Sequence, residues 1–416
     1  MNQVSQNILL NVIALGLAGA CALAFNIQVT ILYGAETFGV LSQVYALLIV
    51  LGQLGTLGVQ FSVQRFVATT DDSGETLEII NSAFTLTTVV SFIVAMIFYF
   101  SAPLIASIQG SPDLEEGVKY AAVGLFFFCL NKVVLGSLNG KLMMRWFAFV
   151  QLLRSILLLA IAYLLFVFVW PGKMLSVVFT VVELVVFVCG ATVLNRKGFF
   201  SALSFQSKWV KQHFVFGYQS VLSGLLIEFN TRIDVLMIGY FLSDRTVGIY
   251  ALAATFAEGF SLILNVLRSN FNPPMARFLA KQDYGGLRAF ISSYRRNMFF
   301  AVLALGMISI GVYKLLEIYQ GSKEWSESFP YYLILLIGMV GTAAYFPFLA
   351  VLMQAGRPTW FSVSILVGVV INCALNIILI PLLGGQGAAW ATSGAMVIST
   401  VFTVWITNYK MSVKIL

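Results

Sequence analysis

The sequence has 416 residues, of which 60% are hydrophobic and 10% are charged, and it carries a formal net charge of +7. Soluble domains usually contain about 25% charged residues, so this composition excludes an ordinary soluble protein. Apolar runs of membrane-spanning length recur along the whole chain, and each needs about 20 residues to cross the hydrocarbon core. The composition therefore predicts a polytopic helical membrane protein.

The apolar runs, taken in chain order, predict about twelve transmembrane helices. They lie at 8–31, 39–63, 80–102, 118–138, 146–169, 174–194, 214–242, 247–268, 295–313, 329–352, 359–381 and 387–408. Half of these spans fall in each half of the chain. We therefore expect an all-α fold of two six-helix lobes, with residues 1–205 forming the first lobe and residues 206–416 the second.

The basic residues predict how these spans are oriented. Most Lys and Arg side chains fall at span ends and loops on the side of the N-terminus, which is the pattern of cytoplasmic loops. We therefore expect both termini on the cytoplasmic side of the membrane. Because the basic residues are spread over short loops, the net charge reflects topology and indicates no nucleic-acid partner.

Two loops, at 195–213 and 269–294, are longer than the others, and both are basic and predicted to be cytoplasmic. In the second loop the sequence predicts a short surface helix after Pro273 and Pro274, with Arg and Lys side chains near the lipid headgroups. Neither loop has room for a soluble catalytic domain. Pro347, inside the tenth span, is expected to kink or break its helix.

An internal repeat relates the two halves of the chain. The segment "ETFGVLSQVYAL" begins at residue 36 and "RTVGIYALAATF" begins at residue 245, an offset close to half the chain. Each segment follows an apolar run and begins the next one, and Gly39 matches Gly248. Two six-helix lobes related by a repeat indicate a transporter, with the substrate path between the lobes.

Motifs for catalysis and for nucleotide or metal binding are missing from the sequence. The segment "GSLNGKL" at 136–142 has the wrong spacing for a Walker A loop and lacks the Ser or Thr after its Lys. His213 is the sole histidine, so no HExxH zinc motif exists, and the four cysteines are isolated in apolar runs. The sequence thus predicts a protein that is not an enzyme, with no cofactor and no bound metal.

With those motifs missing, the remaining candidates for a functional role are the charged residues inside the predicted spans. Such groups are costly in hydrocarbon, at about 2.5–3.5 kcal/mol each on insertion scales, and they usually face a bundle interior or a wet cavity. Three of them, Glu228, Arg232 and Asp234, lie in the seventh span. The others are Arg154, Glu183 and Glu258, with Arg65, Lys132 and Arg268 near span ends.

Helical rotation of about 100° per residue separates the three charges of the seventh span. Glu228 and Arg232 fall on one flank of a broad polar side, and Asp234 falls on the other. Glu228 and Arg232, four residues apart, either form an intrahelical ion pair or leave Arg232 to face an anionic ligand. Asp234 has no cation on its flank, which makes it a candidate for a protonatable or sodium-binding carboxylate. Glu258 is the second candidate.

The remaining pair, Arg154 and Glu183, lies on neighbouring predicted spans. These two side chains either pair with each other as a structural element or leave Arg154 as a cation facing the substrate path. The residues themselves do not decide between the alternatives.

Three segments resemble a known family. They are "RIDVLMIGYFLSDRTVGIYALAATF" (232–256), "LNIILIPLLGGQGAAWATSGAMV" (375–397) and "ILYGAETFGVLSQVYALL…LGTLGVQFSVQRFVA" (31–68). They are similar to the polysaccharide-transporter branch of the multidrug/oligosaccharidyl-lipid/polysaccharide (MOP) superfamily, the Wzx-type flippases. The resemblance covers most of the chain. It implies two six-helix lobes around a central cavity, in the inner membrane of a bacterium.

The resemblance implies a flippase for undecaprenyl-diphosphate-linked oligosaccharides, such as O-antigen units of lipopolysaccharide, that works by alternating access driven by an H⁺ or Na⁺ gradient, as in an antiporter. A diphosphate needs cations, and the candidates are Arg65, Arg154, Arg232 and Arg268.

The expected partners are the lipid-linked substrate, the bilayer and a polysaccharide polymerase with its chain-length regulator. The protein itself is expected to be a monomer. The alternatives are a multidrug or metabolite exporter of the same superfamily and a membrane polymerase or ligase, for which the predicted outer loops are too short.

Overall fold

The computed structural model describes residues 3–201, 203 and 205–411, and it describes residues 3–12, 15 and 223 by their backbone alone. Within these ranges the chain is almost entirely α-helical and contains no β-strand. The predicted all-α class is therefore confirmed.

The helices follow one another with short connections. In the first half of the chain they are α1 (Gln3–Thr56), α2 (Val59–Ala68), α3 (Ser73–Phe100), α4 (Ala102–Gln109), α5 (Pro112–Gly140), α6 (Met144–Val167) and α7 (Val177–Arg196). In the second half they are α8 (Ser207–Phe241), α9 (Asp244–Ala280), α10 (Tyr284–Gln320), α11 (Lys323–Thr342), α12 (Val351–Gln354), α13 (Pro358–Leu383) and α14 (Gly385–Met411). Short 3-10 helices lie at Gly172–Met174 and Phe346–Phe348.

In the described part of the chain, nine helices are long and apolar enough to span a membrane, or ten if one bent helix pair is a single span. The difference from the predicted twelve comes from α1 and α8. The spanning part of α1, Gly16–Thr56, has 41 residues, about twice the length needed for a core of about 30 Å. It is interrupted at Gly34, whose φ of 83° and ψ of 168° are not helical, so it accounts for two predicted spans. The charged helix α8 accounts for the remaining predicted span.

The break predicted at Pro347 is confirmed. Helix α11 ends at Thr342, the 3-10 helix Phe346–Phe348 follows, and the two parts of this span differ in direction by 60°. Proline lacks the N–H group that would continue the helical hydrogen bonds, so the chain changes direction at this point.

The predicted loop at 269–294 is wrong. Helix α9 continues through Pro273 and Pro274 to Ala280, and α10 begins at Tyr284. Both helix ends contribute to an apolar cluster of buried side chains. Its members are Met275, Leu287, Ile291, Phe348 and Val351. Burial of these side chains stabilises helices in a segment whose own composition is polar and basic, and local sequence signals do not reveal such long-range packing.

The chain divides into two compact units. The first consists of Met1–Glu228 with Ser243–Gly248, and the second consists of Phe229–Leu242 with Ile249–Leu416. The boundaries thus fall inside α8 and α9, so each of these helices contributes to both units. The expected lobe boundary between residues 205 and 206 stays a prediction.

The repeat segments pack directly on each other within the first unit. A Cβ atom added at Gly39 would come 1.8 Å from the carbonyl oxygen of Asp244, and one added at Gly248 would come 1.8 Å from that of Ala35. The contact is reciprocal, because each carbonyl belongs to the residue four positions before the opposite glycine. The Asp244 carboxylate also accepts hydrogen bonds from Gln43 Nε2 at 2.7 Å and from Ser111 Oγ at 2.6 Å. The matching glycines therefore permit a close backbone crossing.

We expect Gly248→Ala to destabilise the protein, because the added methyl group has no space unless the backbones of α1 and α9 separate. Overpacking of this kind costs about 1–3 kcal/mol, which lowers the melting temperature of the purified protein in detergent. Gly259→Ala in the same helix is the matched control, since a Cβ at that position meets nothing within 4 Å. Equal melting temperatures for the two variants would contradict the crossing.

Candidate functional site

The first unit contains a buried ion pair between α6 and α7. Arg154 holds both carboxylate oxygens of Glu183, with Nε 2.9 Å from Oε1 and Nη2 2.9 Å from Oε2. Asn131 Nδ2 on α5 donates to Oε2 of the same carboxylate at 2.7 Å. Glu183 is only 6% exposed. The structural alternative for Arg154 and Glu183 is thus confirmed, and Arg154 is neutralised by its partner.

A chain of hydrogen-bonded polar side chains also lies in the first unit. Gln60 Nε2 donates to Gln53 Oε1 at 3.3 Å, and Gln53 Nε2 donates to Glu228 Oε1 at 3.2 Å. Gln53 is buried, whereas Gln60 and Glu228 are half-buried. The chain joins α1, α2 and the middle of α8, so Glu228 contacts residues far from it in sequence.

Arg65 lies at the last turn of α2 and is exposed. Its guanidinium carbon stands 5.2 Å from the centroid of the Phe216 ring, a distance at which a cation and an aromatic ring attract each other. Nearby, His213 is fully buried, and its ring nitrogens lie 2.7 Å from Ser62 Oγ and 3.0 Å from the carbonyl oxygen of Ile79. These contacts join α2, α3 and α8, so His213 has a packing role.

In the second unit, two of the predicted site residues meet. Arg232 Nη1 on α8 lies 2.8 Å from Glu258 Oε1 on α9. The Arg232 side chain is 21% exposed and that of Glu258 is 54% exposed, so the carboxylate side of the pair is accessible and the guanidinium side is largely enclosed. Arg268, further along α9, is half-buried and stands 5.6 Å from the Phe346 ring centroid.

Asp234 is the most enclosed acid of the second unit, at 5% exposure. Four neutral groups donate to its carboxylate. They are Asn372 Nδ2 at 3.0 Å and Asn376 Nδ2 at 2.8 Å on Oδ1, and Thr392 Oγ1 at 2.7 Å and Tyr250 OH at 3.1 Å on Oδ2. Within the described residues Asp234 forms no ion pair. The expectation that Asp234 stands apart from the Arg residues agrees with this geometry.

These neutral donors were not found by the sequence reasoning. They come from α9, α13 and α14, which the sequence does not place beside α8. One signal was available, because Asn372 and Asn376 stand four residues apart in an otherwise apolar span and therefore share a helix face.

The four cysteines are free thiols, and the described residues hold no group of three His, Cys, Asp or Glu side chains suited to a metal ion.

Solved structures with the same architecture define the class of the fold. One is a multidrug resistance MATE family transporter of the MOP superfamily in an inward-facing conformation. It has a TM-score of 0.74 and 13% identity, over 97% of this chain and 98% of that one. Another is the lipid II flippase MurJ in an inward closed conformation, with a TM-score of 0.78 and 13% identity, over 96% of this chain and 87% of that one. The chain has a MOP-like, all-α polytopic fold.

The family follows from the sequence itself. The profile of the family described as "Polysaccharide biosynthesis protein" matches residues 32–330, and the chain belongs to this family. A curated relative, the probable low-salt glycan biosynthesis flippase Agl15 of Haloferax volcanii, is 27% identical over 203 residues. That match covers 48% of this chain and 43% of the relative, so it spans less than half of either protein. The resemblance to the polysaccharide branch of the superfamily is confirmed.

Proposed function

We propose that this protein is a flippase for lipid-linked oligosaccharides. It moves undecaprenyl-diphosphate-linked repeat units of O-antigen or another surface polysaccharide from the cytoplasmic to the outer leaflet of a bacterial inner membrane, and both of its termini are cytoplasmic. The observation that carries this proposal is the family match over residues 32–330. A relative named as a probable glycan biosynthesis flippase supports it. On this proposal the protein is a transporter and not an enzyme.

Asp234 is the proposed coupling residue, with H⁺ or Na⁺ as the coupling ion. Carboxylate, amide and hydroxyl oxygens are ligands that suit a hard cation. Asp234, Asn372, Asn376 and Thr392 carry such oxygens, and the two amides, which donate to the carboxylate through Nδ2, would have to rotate to bind a cation. Asn376 Oδ1 is buried and has no hydrogen-bond partner among the described residues, so it is free to accept a cation or a proton donor. A buried acid with neutral neighbours is also a good proton acceptor.

Arg232 is the proposed diphosphate contact of the second unit. Its carboxylate partner Glu258 is more exposed than Arg232 itself, so solvent weakens the pair from the carboxylate side. A diphosphate could therefore replace Glu258 and form two parallel hydrogen bonds with the guanidinium group. Arg268 and Arg65, each beside an aromatic ring, are proposed as further cations for the same anionic substrate.

The proposed function predicts that Arg232→Ala abolishes export of lipid-linked sugar while the protein still inserts normally. The substitution removes the diphosphate contact and leaves Glu258 partly exposed to water. The measurement is translocation of a fluorescent lipid-linked oligosaccharide in proteoliposomes, together with surface polysaccharide in cells.

Glu258→Gln is the matched control, because it breaks the same ion pair but retains the Arg232 guanidinium. We expect this control to retain translocation. Normal export by the Arg232 variant would refute the assignment of this residue.

A multidrug exporter is the second candidate, favoured by the MATE-like fold. Cationic drugs need acidic contacts, so such a protein would transport them without Arg232. Gradient-driven drug uptake by proteoliposomes that fail to translocate lipid-linked sugar would support this candidate over the flippase.

A further inference from the structure

Lys132 of α5 is a basic residue of the first unit that takes part in none of the ion pairs described above. It lies about 12 Å from the Gly140 end of α5, at about 1.5 Å per residue. Its ammonium group stands 4.9 Å from the centroid of the Phe128 ring, one turn further from Gly140. A lysine near a membrane surface usually extends its ammonium towards water at the nearer end. The Lys132 side chain instead points away from the nearer helix end.

The acids around Lys132 already have other partners. Glu183 is held by Arg154 and Asn131, and Glu228 accepts a hydrogen bond from Gln53. Both carboxylates attract the Lys132 ammonium at longer range. Within the described residues, however, the ammonium forms no ion pair and no hydrogen bond.

The aromatic ring beneath Lys132 is fixed in position. A Cβ atom at Gly52 of α1 would come 2.5 Å from Phe128 Cε1, so the absence of a side chain at Gly52 lets the ring pack against α1. Phe128 is 5% exposed. Its face attracts the cation but provides no hydrogen-bond acceptor of the strength that an ammonium group requires.

We propose that Lys132 binds the anionic diphosphate of the lipid-linked substrate within the first unit, an inference that rests on the proposed function. An ammonium group without a partner is unfavourable at membrane depth. Diphosphate oxygens would supply the charge-assisted hydrogen bonds that Lys132 lacks. Arg154 is a weaker candidate for this contact, because Glu183 occupies its guanidinium group on two sides.

The test measures binding of undecaprenyl diphosphate and of uncharged undecaprenol to the purified full-length protein in phosphatidylcholine nanodiscs. We expect Lys132→Met to weaken binding of the diphosphate by about tenfold or more and to leave binding of undecaprenol unchanged. Lys132→Arg retains most of the affinity. Lys119→Met in the same helix is the matched control, because Lys119 is paired with Glu115 at 2.6 Å, and it should bind as the unchanged protein does.

The melting temperature separates this role from a structural one. Since Lys132→Met breaks no ion pair, we expect the variant to melt at or above the temperature of the unchanged protein. A marked decrease would identify Lys132 as a structural cation and overturn the proposal.

Three further results of the binding assay are decisive. Equal diphosphate binding by Lys132→Met and the unchanged protein overturns the role of Lys132 and leaves the proposed function standing. An unchanged protein that binds diphosphate no better than undecaprenol contradicts the proposed function itself. Competition by phosphatidylglycerol as strong as that by undecaprenyl diphosphate would assign the site to phospholipid headgroups and overturn the substrate assignment.

Discussion

Asp234→Asn is expected to abolish the dependence of transport on an ion gradient. The substitution removes the carboxylate that would take up H⁺ or Na⁺, while the size of the side chain stays the same. In proteoliposomes with an imposed H⁺ or Na⁺ gradient, translocation of lipid-linked oligosaccharide should fall to the rate measured without a gradient. Whichever gradient drives the unchanged protein identifies the coupling ion.

The stability of Asp234→Asn must be measured together with its transport, because the new amide group faces four hydrogen-bond donors and can accept from only some of them. A buried donor without an acceptor costs about 1–3 kcal/mol, so a moderate decrease in melting temperature is expected. Asp283→Asn is the control, since Asp283 is exposed and only caps α10 through the backbone N–H of Gly286. Gradient-driven transport that survives in Asp234→Asn would exclude Asp234 as the coupling residue.

The second large effect concerns the buried pair of the first unit. Glu183→Ala should destabilise the protein by about 3–5 kcal/mol, because it leaves the Arg154 guanidinium without its counter-charge inside the membrane. The double variant Arg154→Leu/Glu183→Leu should recover much of this loss, since apolar side chains of similar size can replace a buried pair. Melting temperature and the yield of correctly inserted protein are the measurements.

Glu115→Ala provides the comparison for this pair. Glu115 pairs with Lys119 on the same helix, and both side chains are 37% exposed, so its loss should leave the melting temperature almost unchanged. If Glu183→Ala lowered the melting temperature no more than Glu115→Ala does, the buried pair would not be a structural element. Full transport by the stabilised double variant would agree with a purely structural role of this pair.

Much of the fold could be predicted from the sequence because its signals are local. Apolar runs of spanning length predict membrane helices wherever they occur, and Pro347 marks a break whatever surrounds it. The repeat segments containing Gly39 and Gly248 were recognisable by their spacing. What the spacing did not reveal is that the two glycines pack against each other, because such a crossing depends on how the helices meet.

The candidate site was predicted less completely. Rotation along α8 sets Asp234 apart from Glu228 and Arg232, since helical geometry fixes the angle between residues of one helix, and the structure gives Asp234 hydrogen-bond donors that differ from the contacts of the other two. Sequence reasoning also named Glu258 as the second candidate for ion coupling, yet its carboxylate pairs with Arg232 of the neighbouring helix. A partner on another helix cannot be derived from the rotation of a single one.

The sequence by itself therefore determined the membrane class, the family and the positions of the intramembrane charges, because these depend on composition and on neighbours within one helix. Only the tertiary structure decided which charges are neutralised and which are not. It enclosed Asp234 among donors from three other helices, paired Arg154 with Glu183, and left the Lys132 ammonium without an ion pair among the described residues. The physical reason is that the energy of a charge in a membrane depends on its contacts, and those contacts are made by residues far apart in the chain.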